Sequence, residues 1–260
     1  MSTEPATALT PAVAPPPSAP SAPATPMPSA PAVIIDGRFS VPPGIGDLES
    51  FRSWARSEEY EERVRLAWLA GTLWVDLTME HLYTHNQVKG EVGAVLWSLA
   101  KASSQGRYLP DGMLVSNPTA DWSTIPDGAF VSFDALRSGR VRQVAGKIAG
   151  VVELEGAPEM VLEVVSDSSV EKDTVRLPEL YARAGIQEFW RIDARDAKLS
   201  FEILRLTDTG YVPTKEPDGW WRSAVFGRLF QLTQQQDPLG QPAFTLLVGP
   251  GPSGESPSAG

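Results

Sequence analysis

The stretch Ala157–Ser169, APEMVLEVVSDSS, decides the fold. Met160, Val161, Leu162, Val164 and Val165 make an apolar run with a single carboxylate, Glu163, in its middle. The run is short and rich in β-branched residues, so it predicts a buried strand over Glu159–Ser166. Alternation puts Val161, Glu163 and Val165 on one face and Met160, Leu162 and Val164 on the other. An ionised carboxylate is costly there unless it is paired or binds a metal. A second stretch has the same character: IPDGAFVSF, with Asp127 in a predicted strand over Ile125–Phe133. If these strands are neighbours, Asp127 and Glu163 can meet at one cation. Two carboxylates plus waters suit Mg²⁺. The competing reading is that each carboxylate pairs with a structural arginine or caps a loop.

Outward from this centre the chain reads as mixed α/β. Asp47–Glu62 carries Leu48, Phe51 and Trp54 at helical spacing, with Asp47 as N-cap. Gly71–Thr78 alternates like a strand. His85–Ala102 has the apolar stripe Val88, Val92, Val95, Leu96 and Leu99. A strand is predicted over Tyr108–Ser116, a helix over Val175–Ala184 closed by Gly185, and strands over Glu188–Asp193, Leu199–Leu206 and Tyr211–Thr214. Pro178 implies a late start or a kink in the helix expected over Val175–Ala184. The expected architecture is a mixed central sheet flanked by helices.

Residues 1–33 are almost entirely Pro, Ala, Ser and Thr, with Glu4 the only charge. Such a segment cannot offset its ordering entropy by burial, so a disordered tail is expected. The folded domain is expected over 34–248, with a flexible C-terminal tail over 249–260.

Composition removes several chemistries. The 260 residues include no cysteine, which excludes thiolate nucleophiles, zinc ribbons and iron–sulfur clusters. His81 and His85 have the spacing of a zinc helix, but Leu82 stands where H-E-x-x-H needs Glu. There is no Walker A loop and no G-x-S-x-G. No apolar run approaches bilayer length, and no Lys or Arg precedes Arg38, so a cytoplasmic protein without membrane contact is expected. The net charge of −10 opposes non-specific nucleic-acid binding. Arg137, Arg140, Arg142 and Lys147 form a local basic stretch against that trend, either a nucleic-acid contact or a solvated hairpin.

Together, Pro126–Asp127, Ala157–Ser169, Asp173, Tyr181, AGIQEFWRIDAR (Ala184–Arg195) and Gly210–Val212 resemble the Uma-two family of restriction-endonuclease-like proteins. That family is part of the PD-(D/E)xK nuclease superfamily. The resemblance runs from about Leu73 to Val248. It implies a restriction-endonuclease-like core and Mg²⁺-dependent cleavage of DNA, with Mn²⁺ as a substitute and no organic cofactor. Asp127 matches the motif's first Asp and Glu163 its second acidic residue. The Val164 backbone carbonyl would be a further metal ligand. A homodimer would supply the two sites that cutting both strands requires.

The motif's lysine departs from the pattern. The superfamily position is Val165, and the position four residues after Asp173 is Leu177. Lys172 is the nearest replacement, with Arg176 next. An ammonium from Lys172 could stabilise charge on phosphate. The alternative is a catalytically degenerate nuclease-fold module that binds nucleic acid or a protein partner without cleavage. Ser166, Asp167 and Ser168 end the strand and could meet phosphate or simply make a turn. Glu91 is either a metal-facing carboxylate or a solvated helix residue.

Overall fold

The computed structural model describes residues 33–35, 39–60, 64–76, 78–146, 150–196 and 198–250. The predicted tail therefore lies outside the described residues up to Val33. Val33–Ile35 (β1) pairs antiparallel with Phe39–Val41 (β2). Lys147 and residues 251–260 also lie outside.

Asp47 caps the first helix, α1 (Leu48–Ala55), through a reciprocal bond set with Ser50. The helix ends at Ala55 rather than running to Glu62. Its apolar face (Leu48, Phe51, Trp54) packs on Leu66 and Trp68. Those two residues belong to β3 (Arg65–Leu69), which forms a hairpin with β4 (Thr72–Asp76).

The predicted helix at His85 begins as a π-helical turn, Leu82–Asn86, and continues as α2 (Gln87–Ser103). The predicted strand Tyr108–Ser116 is two strands, β5 (Gly106–Pro110) and β6 (Leu114–Asn117). Gly112, at φ 105°, takes the left-handed turn that sends them into different sheets. Then come β7 (Trp122–Thr124), β8 (Gly128–Ser132), α3 (Phe133–Ser138), β9 (Val141–Ala145), β10 (Val151–Gly156) and β11 (Met160–Val164).

A second π-helical turn, Lys172–Arg176, leads into α4 (Leu177–Ala184). Pro178 has no N–H to give, and the turn ahead of it widens, with the Leu177 N–H reaching the Lys172 carbonyl. Gly185, at φ 81°, closes α4 as expected. The remaining strands are β12 (Glu188–Asp193), β13 (Ser200–Thr207), β14 (Gly210–Pro213), β15 (Trp221–Ser223), β16 (Arg228–Gln236) and β17 (Pro242–Val248).

The mixed α/β expectation holds, but with two six-stranded mixed sheets. One runs β4-β3-β7-β6-β10-β9 and the other β14-β13-β12-β11-β8-β5. In the second, β11 is parallel to β12 and antiparallel to β8. The alternation read from the sequence decides its two faces. Met160, Leu162 and Val164 pack with α2 and the small sheet β15-β16-β17. Val161 packs on the other side with α4, Trp122 and the first sheet. Helices thus cover both faces of the sheet that carries Glu163. Among the described residues no helix is long and apolar enough to cross a membrane.

Candidate metal centre

Strand pairing brings the two predicted carboxylates together. Gly128 on β8 is the partner of Leu162 on β11. Asp127 is the residue before that pair and Glu163 the residue after it, so the two carboxylates lie at the same end of the β8–β11 pairing, and Asp127 contributes to the raised pKa of Glu163. Asp127 is not in a strand, as the sequence suggested, but in the bend before β8. The bend frees its side chain to reach along the neighbour, and its Oδ2 accepts a 2.8 Å hydrogen bond from the Val164 N–H. Both carboxylates are buried, Asp127 at 5% exposure and Glu163 at 1%.

The Tyr181 hydroxyl on α4 donates to Glu163 Oε1 at 2.5 Å. Burial raises the Glu163 pKa well above the usual carboxylate range, and Asp173 and Asp127 add to this, while Lys172 opposes it. Lys172 Nζ lies 3.1 Å from Asp173 Oδ1. Burial disfavours its ammonium, but Glu163, Asp173 and Asp127 outweigh that and raise its pKa. Lys172 therefore sits among the candidate acidic residues. Leu177 instead is fully buried in the apolar cluster beneath them, and Val165 is also buried. Arg176 points to Glu171, away from this group.

The other side of Asp127 holds residues that the sequence reading did not single out. Arg65 Nη1 on β3 is 3.3 Å from Asp127 Oδ1, and Lys89 Nζ on α2 is 3.5 Å from the same atom. Lys89 also meets Glu80 Oε1 at 2.5 Å and Asp111 Oδ2 at 2.7 Å. Arg65 bonds the same two carboxylates. Burial alone would raise the Glu80 pKa, but Lys89 and Arg65 bring it down to about 2. These residues come from separate segments, so no local spacing marks them. His85 is buried here too, whereas His81 is exposed, so the two do not form a zinc pair.

Arg65, Asp76, His85, Asp127, Lys172 and Asp173 line a cleft with about 50 Å³ of space, enough for an ion and a few waters. Val164 also lines it; Glu163 does not, and its Oε1 is taken by the Tyr181 hydroxyl. Among the described residues, the carboxyl groups of Asp76, Glu80, Asp111, Asp127, Glu163 and Asp173 around this cleft face three permanent cations, Arg65, Lys89 and Lys172. The surplus of negative charge and the hard oxygen donors fit a divalent cation.

Other candidates have ordinary partners. Glu91 Oε1 accepts from the Leu246 N–H and ties α2 to β17. Ser166 bonds Ser168 and Ser169, Ser168 bonds Asp76, and Asp167 pairs with Arg195. Arg137, Arg140 and Arg142 pair with Asp134, Glu159 and Glu155.

A profile of the Uma2 family, described as "Putative restriction endonuclease", matches residues 48–235. The chain also resembles the crystal structure of "a putative nuclease belonging to DUF820" from Anabaena variabilis ATCC 29413. That likeness has a TM-score of 0.51 and 18% identity, and covers 69% of this chain and 90% of that one. At that identity the likeness is one of fold. No curated protein matches. The family match spans the chain from the start of α1 nearly to the end of β16, and so this chain belongs to the Uma2 family.

Proposed function

We propose that this chain is a Mg²⁺-dependent endonuclease that hydrolyses DNA phosphodiester bonds. Asp127, Glu163 and the Val164 carbonyl would hold the ion, with Mn²⁺ as a substitute. Bound there, the ion would polarise a phosphoryl oxygen and supply an activated water.

The observation that supports the reading is the partly buried Lys172 ammonium, 3.1 Å from Asp173 Oδ1 and near enough to Glu163 and Asp127 for their charges to raise its pKa. It supplies the positive charge that the motif needs although Val165 and Leu177 are apolar. Lys172 stabilises the charge that develops on phosphate as water adds and the P–O bond breaks. Tyr181 fixes the Glu163 carboxylate. Arg65, with a side chain 39% exposed at the cleft, meets the incoming backbone. The partner is DNA, and a homodimer acting in the cytoplasm would cut both strands.

The test is cleavage of DNA in Mg²⁺ and in Mn²⁺ by wild type, Asp127→Asn, Glu163→Gln and Lys172→Met. Each substitution is expected to lower the rate by about 10²-fold or more. Cleavage that survives undiminished in the Asp127 and Glu163 variants would reject this site. DNA binding by wild type with no cleavage, and with Lys172→Met unchanged, would instead support the degenerate module.

A further inference from the structure

The inner face of α2 is buried through Val88, Val92, Leu96 and Ala100. Its outer face carries a tryptophan. Trp97 is 50% exposed, and its indole has no ring contact or hydrogen bond among the described residues. Gly90 stands two turns earlier on the same face, about 10 Å back along the axis. A Cβ at Gly90 would meet nothing within 4 Å. Glycine inside a helix weakens it, and no packing within this chain asks for one here. Gly90 instead lines an open groove of about 460 Å³ between α2 and β17, with Glu91, Asp237 and Phe244 on its walls.

A straight helix cannot bring Trp97 back onto its own Gly90, but two copies can exchange them. With two α2 helices antiparallel, Trp97 of each copy enters the groove over the partner's Gly90. The two-fold axis then passes beside Ala94, midway between knob and groove, where a small side chain lets the helices approach. Such a contact is isologous and closes at two copies. The charges agree with it. Lys101, one turn beyond Trp97, is exposed and has no ion pair among the described residues. Antiparallel packing sets it against the partner's Asp237. Asp237 Oδ1 accepts the Leu239 and Gln241 N–H groups and likewise has no ion pair among the described residues. Two carboxylates on the groove walls disfavour a nucleic acid as occupant.

We propose that the outer face of α2 binds a second copy of this chain, with Trp97 of each copy seated in the groove of the other. The inference gives a surface to the homodimer named above and rests on that reading. It fails separately from the cleavage reading, because a single chain with an intact metal centre would still cut one strand.

The experiment is sedimentation equilibrium of the full chain without DNA or metal. Wild type should show twice the mass of one chain. Trp97→Ser should weaken association by about thirtyfold or more. Gly90→Gln fills the groove with a better helix former and should weaken association by about tenfold or more. A cross-link on an otherwise unaltered surface guards against misfolded variants. The chain has no cysteine, so Ala94→Cys supplies a single thiol. A short bismaleimide should join two Ala94→Cys chains and leave Ser138→Cys, exposed on α3, unjoined. A wild type that stays a single chain would overturn the proposal. So would a dimer that neither Trp97→Ser nor Gly90→Gln weakens, or equal joining of the two thiols. A single chain whose DNA binding falls in Trp97→Ser would also overturn it and assign the face to nucleic acid.

Discussion

Asp127 Oδ2 accepts a hydrogen bond from the backbone N–H of Val164, the residue next to Glu163. One carboxylate thus completes the pairing at the end of a buried strand and lines the cleft as well. Stability and activity should separate at this position. Asp127→Asn keeps an acceptor for the Val164 N–H, and should abolish cleavage while unfolding near the wild-type denaturant concentration. Asp127→Ala leaves that buried N–H unpaired and should cost about 1–3 kcal/mol more. Urea unfolding of the two variants decides this; equal stability would mean the hydrogen bond does no structural work.

Tyr181 links helix α4 to Glu163. Its ring packs edge-on against Trp122 and Phe189, at centroid distances of 5.1 and 5.6 Å. Tyr181→Phe keeps those contacts and removes only the hydroxyl. The expected cost is about 0.5–1.5 kcal/mol of stability, the net worth of an ordinary hydrogen bond. Tyr181 acts as a positioning residue, so Mg²⁺ affinity measured by calorimetry should fall roughly tenfold. A variant that loses stability but binds Mg²⁺ like wild type would limit Tyr181 to packing.

How much of this was legible beforehand depended on whether the information was local. The strand of Glu163 was readable, because burial on both faces writes an apolar run broken by a single carboxylate, and the expected strand Glu188–Asp193 has the bounds of β12. The α4 helix end was readable from Gly185, and the α1 start from Asp47. The split between β5 and β6 was missed, although Pro110–Asp111–Gly112 between two apolar runs carries a turn signature. The polar β16 strand, RLFQLTQQQ, has little apolar pattern to read. At the site, Asp127, Glu163 and Lys172 lie in or beside recognisable motifs. Arg65, Glu80, Lys89 and Asp111 acquire meaning only when β3, the π-helical turn's leading segment, α2 and the β5–β6 turn converge on Asp127.

Glu153 on β10 is fully buried and accepts from Arg52 Nε at 2.6 Å and Arg56 Nη1 at 2.5 Å. This pins α1 across the first sheet. Arg52→Met leaves the buried Glu153 with Arg56 as its remaining partner and should cost about 1–3 kcal/mol. Replacing both, as Arg52→Met with Glu153→Leu, should recover part of that loss, because the fully buried Glu153 charge no longer needs desolvation while Arg56 keeps Glu49 and partial access to water. Urea unfolding of the single and double variants checks the order; a double variant less stable than the single would contradict it.

Acid should weaken the junction at Glu159. This carboxylate accepts from the Ser132 N–H at 2.8 Å and the Ser132 hydroxyl at 2.7 Å, and pairs with Arg140. It therefore joins the start of β11 to the cap of α3. Burial tends to raise its pKa, but Arg140 and Ser132 outweigh that and hold it below the ordinary glutamate value of 4.5. A group depressed in the folded state stabilises the fold fully above its unfolded pKa. It loses that contribution as pH falls through the folded value. Glu159→Gln should accordingly be about 1–3 kcal/mol less stable than wild type at neutral pH. The gap should close as pH drops below the ordinary glutamate range, because wild type loses its advantage and the variant has none to lose. Urea unfolding of both proteins across that range tests the sign, and a gap that widened toward acid would show that the Glu159 contacts favour the protonated form.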